Sequence, residues 1–139
     1  MAGNITFSMI KPYAVKMGLI GPILAIINEG EFKISAIKSE KLTLEQAEEF
    51  YIIHHSKPFY NDLVEFMSSG PIVVMILKKE NAVEDFRQLI GSTDPAKAEK
   101  GTIREKFADS LQRNAVHGSD SDENAIIESD FFFAKKDRF

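Results

Sequence analysis

Toward the C-terminal end of the chain the run Asn114-Ala115-Val116-His117-Gly118-Ser119-Asp120-Ser121 gathers an imidazole, two hydroxyls and a carboxylate. Imidazole is both nucleophilic and a good leaving group, so it can carry a phosphoryl group between two acceptors. Its reference pKa, near 6.5, leaves it largely neutral at pH 7 and able to attack without a strong base. Gly118 is expected to let the backbone turn sharply beside the ring. Ser119 and Glu128 are placed to fix the ring's orientation by hydrogen bonds. The plainer alternative is that Ser119 and Asp120 cap a helix from about Ser121 to Glu128.

Phosphoryl transfer depends on positioning and on positive charge that compensates the phosphate oxygens, so such a histidine needs cations nearby. Lys11 stands out, because a lysine closing an apolar strand just before Pro12 is oddly placed for a surface charge. Arg87 and Arg104 fall on predicted helices, where an arginine is more often solvated. Phe59 and Leu63, four residues apart, share one helical face and in isolation read as a core pair. His54-His55 is not read as a metal site: adjacent helical residues point about 100° apart, and no Cys or spaced carboxylate completes a ligand set. Neither G-x-x-x-x-G-K-[ST] nor G-x-G-x-x-G occurs, so any phosphate must be held by side chains.

The elements that must position these groups alternate in type. Ile5–Ile10 reads as a strand stopped by Lys11-Pro12. A helix follows over Leu19–Glu29, ending at Gly30. Phe32, Ile34, Ala36 and Lys38 alternate as in a half-buried strand. Thr43 and Gln46 have capping-box spacing for a helix to about Ile52, and another helix spans Phe59–Met67. Ile72–Leu77 is a continuous apolar run, the mark of a central strand covered on both faces. Asn81 with Glu84, and Thr102 with Glu105, can cap helices reaching Ile90 and about Leu111. Phe131-Phe132-Phe133 is expected to form a last strand, followed by a solvated tail. The order suits an α/β (α+β) fold with a ferredoxin-like split βαβ core: a four-stranded, mainly antiparallel sheet covered by helices.

With 139 residues, 44% of them hydrophobic and 27% charged, the chain is expected to be one globular domain, 1–139. A net charge of -4 argues against non-specific binding to nucleic acid or anionic membrane, so an anionic ligand must find a local basic pocket. There is no cysteine, which removes disulfides, thiolate ligands and thiol nucleophiles together. The apolar stretch around Leu19–Ile27 is too short for a membrane span, and the N-terminus lacks the marks of a secretory signal. A cytoplasmic location is expected.

The run around His117 resembles the active-site signature of nucleoside diphosphate kinases. The resemblance extends through Thr6-Phe7-Ser8-Met9-Ile10-Lys11-Pro12, Lys57-Pro58-Phe59, Thr93-Asp94-Pro95 and Gly101-Thr102-Ile103-Arg104, in the family's order and over nearly the whole chain. It implies a ping-pong transfer of the terminal phosphate of ATP or another nucleoside triphosphate to a nucleoside diphosphate through a phosphohistidine at His117. By the same resemblance Ser119 and Glu128 orient the ring and Tyr51 lies beside it. Lys11 and Asn114 contact ribose hydroxyls, Arg87, Arg104 and Thr93 take the phosphates, and Phe59 stacks on the base with Leu63 beside it. Mg2+ is expected to arrive with the nucleotide, touching Asp120 through water. Members assemble as hexamers or tetramers. The full-length loop from Thr93 to Thr102 favours a homo-hexamer, with a tetramer as the alternative. The chain departs from the common pattern at Tyr13, where many members carry a small polar or acidic residue, and at Glu99-Lys100, often Ala-Pro. A non-catalytic nucleotide-binding module and a single-stranded nucleic-acid binder are the rivals. The intact His117 run counts against the first. The acidic charge and the lack of an RNP-like run count against the second.

Overall fold

The computed structural model describes residues 3–110 and 113–139. Strands β1 (Ile5–Ile10), β2 (Lys33–Glu40), β3 (Ile72–Lys78) and β4 (Val116–Gly118) form one sheet in the order β2-β3-β1-β4. Every neighbouring pair is antiparallel. The helices are α1 (Pro12–Lys16), α2 (Ile20–Glu29), α3 (Leu44–Phe50), α4 (Tyr60–Met67), α5 (Ala82–Ile90), α6 (Ile103–Phe107) and α7 (Asp122–Phe132). Short 3-10 turns lie at Ile52–His54, Pro95–Lys97 and Lys135–Asp137. This is the split βαβ sheet that the sequence order implies.

The continuous apolar run of β3 follows from cover on both faces. Val73, Met75 and Leu77 join a core with α2, α5 and α6, while Ile72, Val74 and Ile76 join one with α3, α4 and α7. β1 divides likewise, with Ile10 in the first core and Phe7 and Met9 in the second. The capping box that opens α3 is present in full: the Gln46 amide donates to Thr43 Oγ1 at 3.1 Å, and the Thr43 amide donates to Gln46 Oε1 at 2.9 Å. Among the described residues no helix is long and apolar enough to cross a membrane.

The structure corrects several expectations. Phe131 and Phe132 are not in a strand but end α7, whose buried residues Ala125, Ser129 and Phe132 follow a helical period. Ser121 opens that helix by accepting the Asn124 amide at 3.0 Å, so neither Ser119 nor Asp120 is the N-cap. The fourth strand is instead Val116–Gly118, three residues whose extended form comes from pairing with β1 rather than from local propensity. In β2 a bulge between Ile34 and Ala36 breaks the alternation, so these two residues serve opposite cores. Asn81 adopts a left-handed conformation and its side chain makes no cap bond. α6 ends at Phe107, well short of the expected end at about Leu111, a residue outside those described. The left-handed residue after α2 is Glu31, not Gly30. The tail is anchored: the Arg138 guanidinium donates to Asp130 at 2.8 Å, and the Phe139 amide donates to the Ser35 carbonyl at 2.7 Å.

Candidate active site

His117 is the middle residue of β4 and pairs with Met9 of β1. Ser119 continues the ladder at its edge. Its amide donates to the Phe7 carbonyl and its Oγ accepts the Phe7 amide, both at 3.1 Å. The Ser119 hydroxyl proton then points at Glu128 Oε1, 2.7 Å away. That oxygen also lies 2.9 Å from His117 Nε2. An ionised carboxylate only accepts, so Nε2 carries the ring proton and Nδ1 keeps its lone pair. Phe7 and Phe50 wall the imidazole, with centroids 6.0 and 5.8 Å away. Tyr51 is buried with its hydroxyl unpaired among the described residues, unlike the wet helix tyrosine that is its commonest alternative. Burial, and then the Glu128 charge, push its phenol well above the ordinary range.

Gly118 does not make a sharp turn. It is extended strand, and its use is close approach: a Cβ there would lie 3.0 Å from the Phe86 ring and 3.1 Å from Ile90 Cδ1, both in the core. The tight turn comes earlier, at Ala115, whose φ of 75° lets the Val116 amide donate to the Asn114 carbonyl at 2.9 Å. The Ala115 carbonyl accepts the Lys11 amide at 2.9 Å. Lys11 and Asn114 are thereby brought together at one end of the β1–β4 pair, both buried, the Asn114 Oδ1 without a partner among the described residues.

A cleft of about 850 Å³ opens between α5, the loop after it and α6. Arg87, Thr93, Arg104 and Gly118 line it, with Glu84 and Glu99. Arg104 is held by two carbonyls, Gly91 at 3.1 Å and Val116 at 2.9 Å, while its Nε has no partner. Gly91 is irreplaceable on two counts. Its φ of 87° with ψ of -177° is a region essentially restricted to glycine, and a Cβ would fall 2.5 Å from Thr102 Oγ1. Burial, and then Arg87, lower the Arg104 pKa to about 10. Burial, and then Arg104, lower that of Lys11 to about 7. Among the described residues, none of Lys11, Arg87 and Arg104 forms an ion pair with a carboxylate. A concentration of unpaired, partly desolvated cations is costly unless an anion completes it.

The remaining candidates are spread more widely. Phe59 precedes α4 and is 49% exposed, so it is not half of a core pair, and its ring partner is His54 at 5.7 Å. Leu63 packs against the second core. Neither lines the cleft. Asp120 is exposed and accepts from Asn124 Nδ2 at 2.6 Å. No group of three or more His, Asp or Glu residues among those described could hold a metal. Sequence reasoning missed Phe50 against the imidazole and the main-chain atoms of Phe7, Gly91 and Val116. Main-chain atoms leave no signal in residue type.

A carboxylate-held imidazole on a split βαβ sheet, next in sequence to Gly118 of the cationic cleft although His117 itself does not line it, fits a phosphotransferase that works through a histidine. The family model for nucleoside diphosphate kinase matches residues 4–138. The chain is 58% identical to the nucleoside diphosphate kinase of Flavobacterium psychrophilum over the full length of both, and 56% identical to that of Chlorobaculum tepidum over 95% of this chain and 94% of that one. Among solved structures, the Aquifex aeolicus nucleoside diphosphate kinase superposes with a TM-score of 0.93 at 41% identity, covering 98% of this chain and 99% of that one. The Halobacterium salinarum enzyme, solved in complex with CDP, gives 0.93 at 35% identity over 99% and 92% of the chains. The chain belongs to the nucleoside diphosphate kinase family. Enzymes of this family use a divalent cation in catalysis.

Lys11 gives a test of the electrostatics. Its folded pKa of about 7 lies below the ordinary 10.5, so between those values the unfolded chain holds a proton that the folded chain lacks. Its contribution therefore makes stability rise with pH across that window, and the cost of burial is complete below pH 7. Lys11→Met, similar in length and uncharged, should be more stable than the parent at pH 6 by on the order of 1 to 4 kcal/mol, and the gain should shrink toward pH 10. Urea denaturation of both proteins at several pH values measures this. No gain at pH 6 would mean that the ammonium has a partner in the free protein.

Proposed function

We infer that the chain moves the terminal phosphate of a nucleoside triphosphate to a nucleoside diphosphate by a ping-pong route through His117. The observation that carries the reading is the 2.9 Å contact between Nε2 and Glu128, which leaves Nδ1 free to react. Nδ1 attacks the terminal phosphorus, the bond to the bridging oxygen breaks, and the diphosphate leaves with that electron pair. The phosphorylated ring is cationic, and the Glu128 carboxylate, itself hydrogen-bonded by Ser119, stabilises it through Nε2–H. A terminal oxygen of a second diphosphate then attacks the phosphorus and returns the electron pair to Nδ1. Tyr51, buried beside Glu128, excludes water from that side.

Arg104, pre-set by its two carbonyl partners, and Arg87 hold the phosphate oxygens, with Thr93 donating a hydroxyl. Lys11 and Asn114 take the ribose hydroxyls, which satisfies the orphaned Asn114 Oδ1. Magnesium arriving with the nucleotide would supply compensating charge to the phosphate oxygens. Among the described residues Asp120, exposed beside Ser121, is the carboxylate that would hold it, through water. The location is cytoplasmic.

In the decisive experiment the protein is incubated with triphosphate labelled at the terminal phosphate. An acid-labile, base-stable label should form and should vanish in His117→Ala, along with exchange. Nucleotide affinity should stay within a few-fold, because the imidazole's bond to phosphorus exists only during reaction. Substantial turnover in His117→Ala would mean direct transfer between two bound nucleotides.

Base selectivity should be low, because Phe59 and Leu63 offer only a π-face and methyl groups, on which any base can stack. Phe59→Ala should raise KM for all four common diphosphates alike, by roughly ten- to a hundredfold. A preference above about a hundredfold for one base in the parent protein would reveal a polar base reader instead.

The assembly is a homo-oligomer, a hexamer rather than a tetramer, supported by the full-length loop between Thr93 and Thr102. Light scattering at micromolar concentration should give about six times the 15.6 kDa chain mass. A monomer would refute it.

A further inference from the structure

The residue at position 13 lies one turn from the proposed sugar contacts. Tyr13 belongs to the first turn of α1, two residues beyond Lys11. Arg113 directly precedes Asn114. The Arg113 guanidinium lies over the Tyr13 ring, 5.1 Å from its centroid. The Arg113 amide donates to Ser110 Oγ at 3.0 Å, and the Arg113 carbonyl accepts the Asp109 amide at 2.8 Å. The stack therefore ties α1 to the segment entering β4, across the bond that the Lys11 amide makes to the Ala115 carbonyl. On its other side Arg113 meets Asp109 at 3.6 Å, with both side chains more than half exposed. An ion pair so exposed contributes little, whereas the guanidinium lies within cation–π distance of the ring.

We propose that Tyr13 and Arg113 are positioning residues for sugar recognition, their stack setting the spacing between Lys11 and Asn114 that receives the ribose hydroxyls. The inference rests on the reading of Lys11 and Asn114 as ribose contacts. Neither Tyr13 nor Arg113 touches the nucleotide. Their effect passes through the backbone on either side of the Lys11–Ala115 bond, where the left-handed Ala115 leaves little slack. Arginine suits the role better than lysine, because its planar, weakly hydrated group can lie over an aromatic ring.

The test compares kcat/KM for a ribonucleoside diphosphate acceptor with that for its 2′,3′-dideoxy counterpart, in the parent and in variants. The ratio measures hydroxyl recognition and cancels general losses of activity or folded protein. Tyr13→Leu and Arg113→Met should each lower the ratio by about two- to fivefold. The double variant should lower it no further than either single change, as expected for two partners of one contact. Tyr13→Phe, which keeps the ring, should retain the parent ratio. Asn114→Ala supplies the control and should lower the ratio most. If Asn114→Ala lowers it while Tyr13→Leu and Arg113→Met leave it unchanged, the stack does not position the pair and the inference falls. If Asn114→Ala leaves it unchanged, the ribose reading itself is wrong, and the inference falls with it.

Discussion

The pairing of three residues of β4 with β1 is the constraint on which the rest of the site depends. It sets His117 opposite Met9 and carries Ser119 to the Phe7 main chain, from which its hydroxyl reaches Glu128. It also brings the Val116 carbonyl to Arg104. β4 is too short to be stable alone, so it borrows its geometry from β1, which is itself locked by six residues of pairing to β3. The imidazole is thus fixed relative to the centre of the sheet, on its edge strand, with the side chain partly buried.

Around this rigid strand the structure tolerates a local excess of unsatisfied groups. The Tyr51 hydroxyl, Arg104 Nε and Asn114 Oδ1 are all buried without partners among the described residues, and Lys11 is buried beside a second cation. Each is unfavourable by an amount that a well-packed apolar side chain would avoid. In the proposed reading a polyanion with hydroxyls would satisfy Arg104, Lys11 and Asn114, while Tyr51 stays beside Glu128. The two apolar cores on either side of β3 offset the cost, which is why the sheet is covered on both faces.

The sequence made some of this legible and concealed the rest for identifiable reasons. β3 and the capping box at Thr43 follow from local composition, and the structure has both. Three phenylalanines favour β structure when read alone, whereas the place of Phe131 and Phe132 is decided by the helix that Ser121 starts. The true strand is three residues long and includes a glycine, so it has no pattern to read. The His117 run drew attention by its residue types, yet the atoms that hold it in place are largely main chain. The β2 bulge moved Ala36 to the opposite core from Ile34, which simple alternation cannot foresee. Phe59 looked like half of a core pair by spacing, but it sits just ahead of α4, where the helical face no longer governs its direction.

That Arg104, Ser119 and Lys11 are all held through peptide groups, at Gly91, Val116, Phe7 and Ala115, bears on how the site can change over evolutionary time. A peptide carbonyl is offered by any residue. The side chain at position 116 can therefore drift under the needs of the core, provided the backbone path is kept, without moving Arg104. Phe7, Ala115 and Gly91 are more constrained: the Phe7 ring walls the imidazole, Ala115 is left-handed, and the conformation of Gly91 excludes a side chain. The reacting groups are in this way insulated from much of the substitution that repacks the interior, and heritable variation is steered toward the surface and the cores.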